Sequence, residues 1–147
     1  MRIGFCVFIS QRGDFLASDY TRFRQRHQSF RKALAHLEEQ STRVEFSPVE
    51  VSGTLHFFAI TFELAWKMLK DYMEVQDGVF VASPKRVIKQ AFAFEYIQDG
   101  DLWMDMLDDR NRVAHVYDEA FALFLMKRVL KMYLEPLKKL GDDLCLD

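Results

Sequence analysis

The sequence predicts an all-α fold, an antiparallel four-helix bundle with one additional short helix. Three observations carry this expectation. Apolar residues recur at helical spacing over most of the chain after residue 20, and no convincing strand alternation interrupts them. Turn chemistry is concentrated in three breaks, FSPVEVSG (46–53), QDGVFVASP (76–84) and QDGD (98–101). Half of the 147 residues are hydrophobic and 14% are aromatic, including 14 Phe, which suits one domain with a real core and excludes a disordered chain. Short connections favour antiparallel neighbours.

Residues 1–19 read as an N-terminal extension, and residues 20–147 as the helical bundle domain. MRIGFCVFIS has one Arg and a short apolar run, loosely like a signal peptide, but Arg12 and Asp14 follow it directly. The segment reads instead as an extension or short strand-like arm. From Thr21 to Gln40, Phe23, Phe30, Ala33, Leu34 and Leu37 mark a first amphipathic helix. From about Thr54 to Gln76, Leu55, Phe58, Phe62, Trp66, Leu69 and Met73 mark a long second helix. Ser83 followed by Pro84 is an N-cap with Pro at the first helical position, opening a short helix to about Tyr96. Asp99 or Asp101 caps the next helix, which runs through Leu102 to about His115. Asp118 caps a last helix containing AFALFLMKRVLKMYL, which Pro136 kinks or restarts near its end.

Composition narrows the function. A net charge of −2 and a pI near 6.1 give no global signature of a nucleic-acid binder, although a local basic footprint remains possible. Cys6 and Cys145 lie near opposite ends without a CxxC, which is no disulfide framework and fits a reducing cytoplasm. The four histidines form no HExxH pattern, so neither a metal nor another cofactor is expected. No stretch approaches the roughly 20 apolar residues of a membrane span. RFRQRHQSFRK (22–32) carries five Lys/Arg and no acid. It reads first as a solvated face, with a phosphate-contacting strip for RNA or a docking face for an acidic partner as alternatives. Lys127, Arg128 and Lys131 read as solvated, and Phe57, Phe58, Phe62 and Trp66 as core or dimer interface.

The stretch DDRNRVAHVYDE (108–119) carries the chemistry. On a helical wheel advancing about 100° per residue, Leu102, Val113, Met106, Trp103, Ala114 and Leu107 share an arc of about 140°. Arg110 falls in the middle of that arc, with Tyr117 close beside it. Asn111, His115 and Asp108 form a flanking stripe. A buried Arg needs a partner, and Glu63, at the edge of the second helix's apolar face, is the available carboxylate. Taken singly, His115 can be a helix-terminal cation, Tyr117 a core aromatic and Asn111 a solvated amide. Taken together, Arg can fork two bonds onto a phosphate, His can move a proton near neutral pH, and Asn can orient either. These are the parts needed to cleave RNA with its own 2′-hydroxyl as nucleophile. A two-fold dimer would place two such sets across one cleft.

RNRVAHVY resembles the Arg-x4-His-x-Tyr signature of HEPN domains. RFRQRHQSFRKALAHLEE (22–39), TFELAWKMLKDYME (61–74), SPKRVIKQAF (83–92) and LWMDMLDDRNRVAHVYDE (102–119) resemble, in order, the bacterial nucleotidyltransferase substrate-binding subgroup of that family. The resemblance covers about residues 22–140. It implies an HEPN-like helical bundle that dimerises and pairs with a minimal nucleotidyltransferase encoded by a neighbouring gene. Two roles are implied. In one, the helical chain is a metal-independent endoribonuclease toxin, with Arg110 and His115 catalytic, Asn111 supporting them, and Tyr117 the residue whose adenylylation by the partner silences it. In the other, it is a non-catalytic substrate-binding subunit. Asp108 and Asp109 would oppose an incoming phosphate unless paired.

Overall fold

The computed structural model of the chain describes residues 15–144. Cys6, Cys145 and the expected N-terminal arm up to residue 14 lie outside the described residues. The described residues are all helical, without a strand: α1 (Phe15–Ser41), α2 (Pro48–Asp77), α3 (Pro84–Ala93), α4 (Gly100–Val113), α5 (Glu119–Arg128) and α6 (Leu134–Asp143). Five residues of π-helix, Val129–Tyr133, join α5 to α6.

Two helices are longer than the sequence pattern indicates. Helix α1 begins at Phe15 rather than Thr21, so residues 15–19 belong to it and not to an arm. Buried Asp19, on this added turn, pairs with Arg22 at 2.8 Å. Helix α2 begins at Pro48 rather than Thr54. Ser47 Oγ accepts from the Glu50 N–H at 3.3 Å, and the Glu50 carboxylate accepts from the Ser47 N–H at 2.7 Å. This reciprocal cap, with Pro48 at the first helical position, starts the helix and carries it through Gly53.

Helix α2 is the centre of the bundle and touches α1, α3, α4, α5 and α6. Val51, Leu55, Phe58, Phe62, Ala65, Met68, Leu69 and Met73 are all buried along it. A helix apolar on so many sides must be covered on all of them. Helix α1 supplies Phe23, Phe30, Leu34 and Leu37, and the last helices supply Leu125, Val129, Tyr133, Leu137 and Leu140. At Gly141, an added Cβ would come within 2.8 Å of the Phe30 ring, so only glycine lets α6 lie this close to α1.

The basic stretch 22–32 is spent inside the fold. Asp71 on α2 is fully buried, with Arg26 at 2.5 Å and Arg22 at 3.2 Å. Arg22 also reaches Glu74 at 3.2 Å. Arg31 donates to the Gly141 carbonyl at 2.7 Å and pairs with Asp142 at 2.8 Å, while His27 Nε2 meets the same carbonyl at 2.9 Å. Three of the five cations are thus neutralised by this chain's own carboxylates, and Arg24 lies over the Tyr20 ring. Neither a wholly solvated face nor a free phosphate strip describes this segment.

Pro136 sits two residues into α6, with the irregularity just upstream. Proline cannot donate to the Met132 carbonyl and its ring crowds that oxygen. The chain answers with the π turn, in which the Leu134 N–H reaches back to the Val129 carbonyl. Asp71→Ala, which removes the carboxylate partner of Arg26 and leaves Arg22 with Asp19 and Glu74, is expected to lower unfolding free energy by about 3 kcal/mol. Ser47→Ala, which removes one cap, is expected to cost only about 1 kcal/mol. Urea denaturation of both variants checks the order.

Candidate active site at the end of the fourth helix

Asp99 caps α4 by accepting from the Leu102 N–H at 3.0 Å. The helix ends at Val113, two residues before the expected His115. The His115 N–H folds back to the Arg112 carbonyl at 2.9 Å, and Asp118 caps α5 through the Ala120 N–H at 3.0 Å. Residues 114–118 therefore form a short connection, and the flanking stripe that joins Asn111 to His115 on a continuous helix does not form.

The wheel is also rotated against the real core. Trp103 and Met106 are buried as expected, but the third buried residue of α4 is Asp109, not Arg110. Arg110 lies at the border of the core with 37% of its side chain exposed. Its Nη2 donates to Glu63 Oε2 at 2.9 Å, which is the pairing the sequence suggests, and its Nη1 donates to Asn111 Oδ1 at 3.1 Å. Glu63 also accepts from Trp66 Nε1 at 2.9 Å and pairs with Lys67 at 3.0 Å. Burial alone would raise the Glu63 carboxyl. The Trp66 and Lys67 hydrogen bonds and the charges of Lys67 and Arg110 outweigh that and hold it below the usual carboxylate range.

Asp109, expected to oppose a phosphate unless paired, is paired, and the spacing gave no sign of its burial or its partners. It is 2% exposed, accepts from Arg128 Nη1 at 2.9 Å and from the Tyr133 hydroxyl at 2.5 Å, and has Arg112 at 3.7 Å. Burial, with the Asp109 carboxylate beside it, pushes the Tyr133 phenol well up, so it stays a proton donor. Arg128 is therefore not the solvated cation its sequence context indicates. Pairing withdraws Asp109 from the surface and removes one of the two carboxylates expected to oppose a phosphate; Asp108 remains exposed.

His115 and Tyr117 are both exposed, Tyr117 to 89%, which rules out a core role for its ring. Within the chain the structure brings Arg110, Asn111 and Glu63 into one bonded group. Among the described residues, no hydrogen bond joins the His115 ring to that group. Tyr117 stands at the rim of a cleft of about 420 Å³ between the starts of α2 and α5, lined by Phe46, Pro48, Val51, Val116 and Leu123. Among the described residues no group of three or more His, Cys, Asp or Glu is placed to hold a metal ion, and no helix is long and apolar enough to cross a membrane.

A carboxylate whose folded pKa is depressed contributes stability above its unfolded value and loses it as pH falls through the folded one. Glu63→Gln is therefore expected to lower stability at pH 7 by up to about 1 kcal/mol, given the half-exposed partners. The gap to the unsubstituted protein should close below the ordinary carboxylate pKa of roughly 4.3. Thermal melts from pH 7 downwards read this directly; a gap that persists in acid would assign the effect to something other than the carboxylate charge.

Comparison with known proteins places this geometry in a family. The pattern of the family described as "nucleotidyltransferase substrate binding protein like" matches residues 25–145. A crystal structure of a protein from Thermus thermophilus superposes with a TM-score of 0.70 and 34% identity, over 76% of this chain and 94% of that one. A curated protein of Haemophilus influenzae, named a probable ribonuclease HepT, is 25% identical over 83 residues, which are 54% of this chain and 57% of that protein. The chain is an all-α member of the nucleotidyltransferase substrate-binding, HEPN-like family.

Proposed function

We propose that this chain is the helical partner subunit of a minimal nucleotidyltransferase, and that it is itself a metal-independent endoribonuclease acting as a cytoplasmic homodimer. The observation that carries the reading is the placement of Arg110. Its guanidinium is held by Glu63 and Asn111 yet still reaches solvent, and the exposed His115 and Tyr117 follow within the next connection. The name of the Haemophilus protein supports the same chemistry.

In the proposed reaction, His115 takes the proton of an RNA 2′-hydroxyl as that oxygen bonds to phosphorus. The bond from phosphorus to the 5′-oxygen breaks as an imidazolium returns a proton to it. Arg110 stabilises the charge that accumulates on the phosphoryl oxygens, a contribution of about 3 to 4 kcal/mol by analogy with other oxyanion donors. Silencing is assigned to Tyr117. Its hydroxyl oxygen would bond to the α-phosphorus of ATP, releasing pyrophosphate and leaving a bulky anion two residues from His115.

A second reading, a non-catalytic subunit that presents a substrate to the nucleotidyltransferase, draws on one observation: both terminal nitrogens of Arg110 are already engaged. His115→Ala separates the two. The endoribonuclease reading expects RNA cleavage in EDTA to fall at least about a hundredfold, with an unchanged circular dichroism spectrum. Equal cleavage by both proteins, or none by either, would leave the subunit reading standing. Co-expression with the nucleotidyltransferase is expected to add the mass of AMP, absent in Tyr117→Phe. AMP mapped to another residue would remove Tyr117 from the mechanism.

A further inference from the structure

Asp109, Arg128 and Tyr133 lie outside the group assigned to RNA chemistry, yet they form the most enclosed polar cluster next to it. Asp109 precedes Arg110 directly and faces inward where Arg110 faces the rim. Its two close partners come from the far side of the 114–118 connection: Arg128 ends α5, and Tyr133 ends the π turn. The carboxylate therefore ties the last turn of α4 to the helix that follows. The connection bearing His115 and Tyr117 is bracketed by this tie.

The π turn adjoins the tie and carries Tyr133. Buried positions advance by four at each step through Val129, Tyr133 and Leu137, whereas an α-helix turns once in about 3.6 residues. Two such steps overrun two α-turns by most of a residue, and the wider turn absorbs the surplus. Tyr133 thus stays in the core, 1% exposed and stacked on Phe58 with ring centroids 5.6 Å apart. From there its hydroxyl meets Asp109. A π turn inserted in an α-helix is rare and is often found at functional sites.

Resting on the endoribonuclease reading above, we infer that Asp109, Tyr133 and Arg128 are positioning residues, a buried clamp that fixes the α4 terminus so that Arg110 and His115 hold a constant geometry towards RNA. The clamp acts on placement and takes no part in proton transfer. A guanidinium must be held within about 0.5 Å of its productive position, with its N–H groups about 3 Å from the developing charge, to be effective. Arg110's bonds to Glu63 and Asn111 hold its head, while the Asp109 tie holds the backbone it hangs from to Arg128 and Tyr133 across the connection.

Tyr133→Phe tests this with the intact chain, since it keeps the ring that stacks on Phe58 and removes only the hydroxyl. Amide hydrogen exchange over residues 110–115 is expected to quicken roughly tenfold or more, with exchange in α1 and α2 unchanged. In RNA cleavage, kcat is expected to fall by a similar factor with KM unaltered. Arg128→Gln, on the partly exposed side of the cluster, is expected to reproduce both effects more weakly, and carries the test if Tyr133→Phe does not fold. Exchange as in the unsubstituted protein, or acceleration spread evenly over all helices, would overturn the clamp. Local acceleration with kcat and KM unchanged would reduce the cluster to a structural brace and overturn the positioning role. If the unsubstituted protein cleaves no RNA, the endoribonuclease reading fails while the exchange pattern still decides whether the clamp exists.

Discussion

Everything in this bundle depends on keeping α2 dry. Its apolar residues point in too many directions for one neighbour to cover, so α1, α3, α4, α5 and α6 are each drawn onto it. Apolar burial of this kind is strong but directionless. It gathers helices without saying which lies where. Direction comes from the charged groups set among the apolar ones. Asp71 fixes α1 through Arg22 and Arg26, and Glu63 fixes α4 through Arg110. Between them these two carboxylates give the central helix an address for α1 and for α4.

The same logic explains how charge is distributed over the molecule. A chain with nearly equal numbers of acids and bases can still present a local positive surface, provided the bases are not already satisfied. Here most bases of the first helix are satisfied internally, whereas those near the end of α4 are only partly so. Glu63 faces both Arg110 and Lys67, one negative charge against two positive ones, and exposed Asp108 lies two residues before Arg110.

Much of this was legible in the residues. The number of long helices, the Asp118 cap and the pairing of Arg110 with Glu63 follow from spacing and from the rule that a guanidinium at a core border needs a carboxylate. The family motifs gave the bundle in advance. What escaped had physical causes. Ser47–Pro48 repeats the logic of Ser83–Pro84, but Gly53 nearby made the stretch look like a break. A glycine costs a helix only about 1 kcal/mol, and the reciprocal cap with the burial of Val51 and Leu55 overrides it. The wheel put Arg110 at the centre of the buried arc because it counted only apolar neighbours. Asp109 wins that place through Arg128 and Tyr133, partners that local periodicity cannot see. Nor could spacing tell that α4 stops at Val113, which frees His115 and Tyr117 from the wheel altogether.

The π turn also fixes the length of the chain in a way its composition does not suggest. Adding one residue between Val129 and Leu137, beyond the surplus the π turn already absorbs, would rotate all that follows by about 100° about the helix axis. Leu137 and Leu140 would leave the core, and the bare flank of Gly141 would no longer meet Phe30. Side chains on the outside of this segment, such as Lys131 and Met132, can vary freely without that consequence. Sequence drift here is therefore expected as replacement without further insertion, a reading frame imposed by packing.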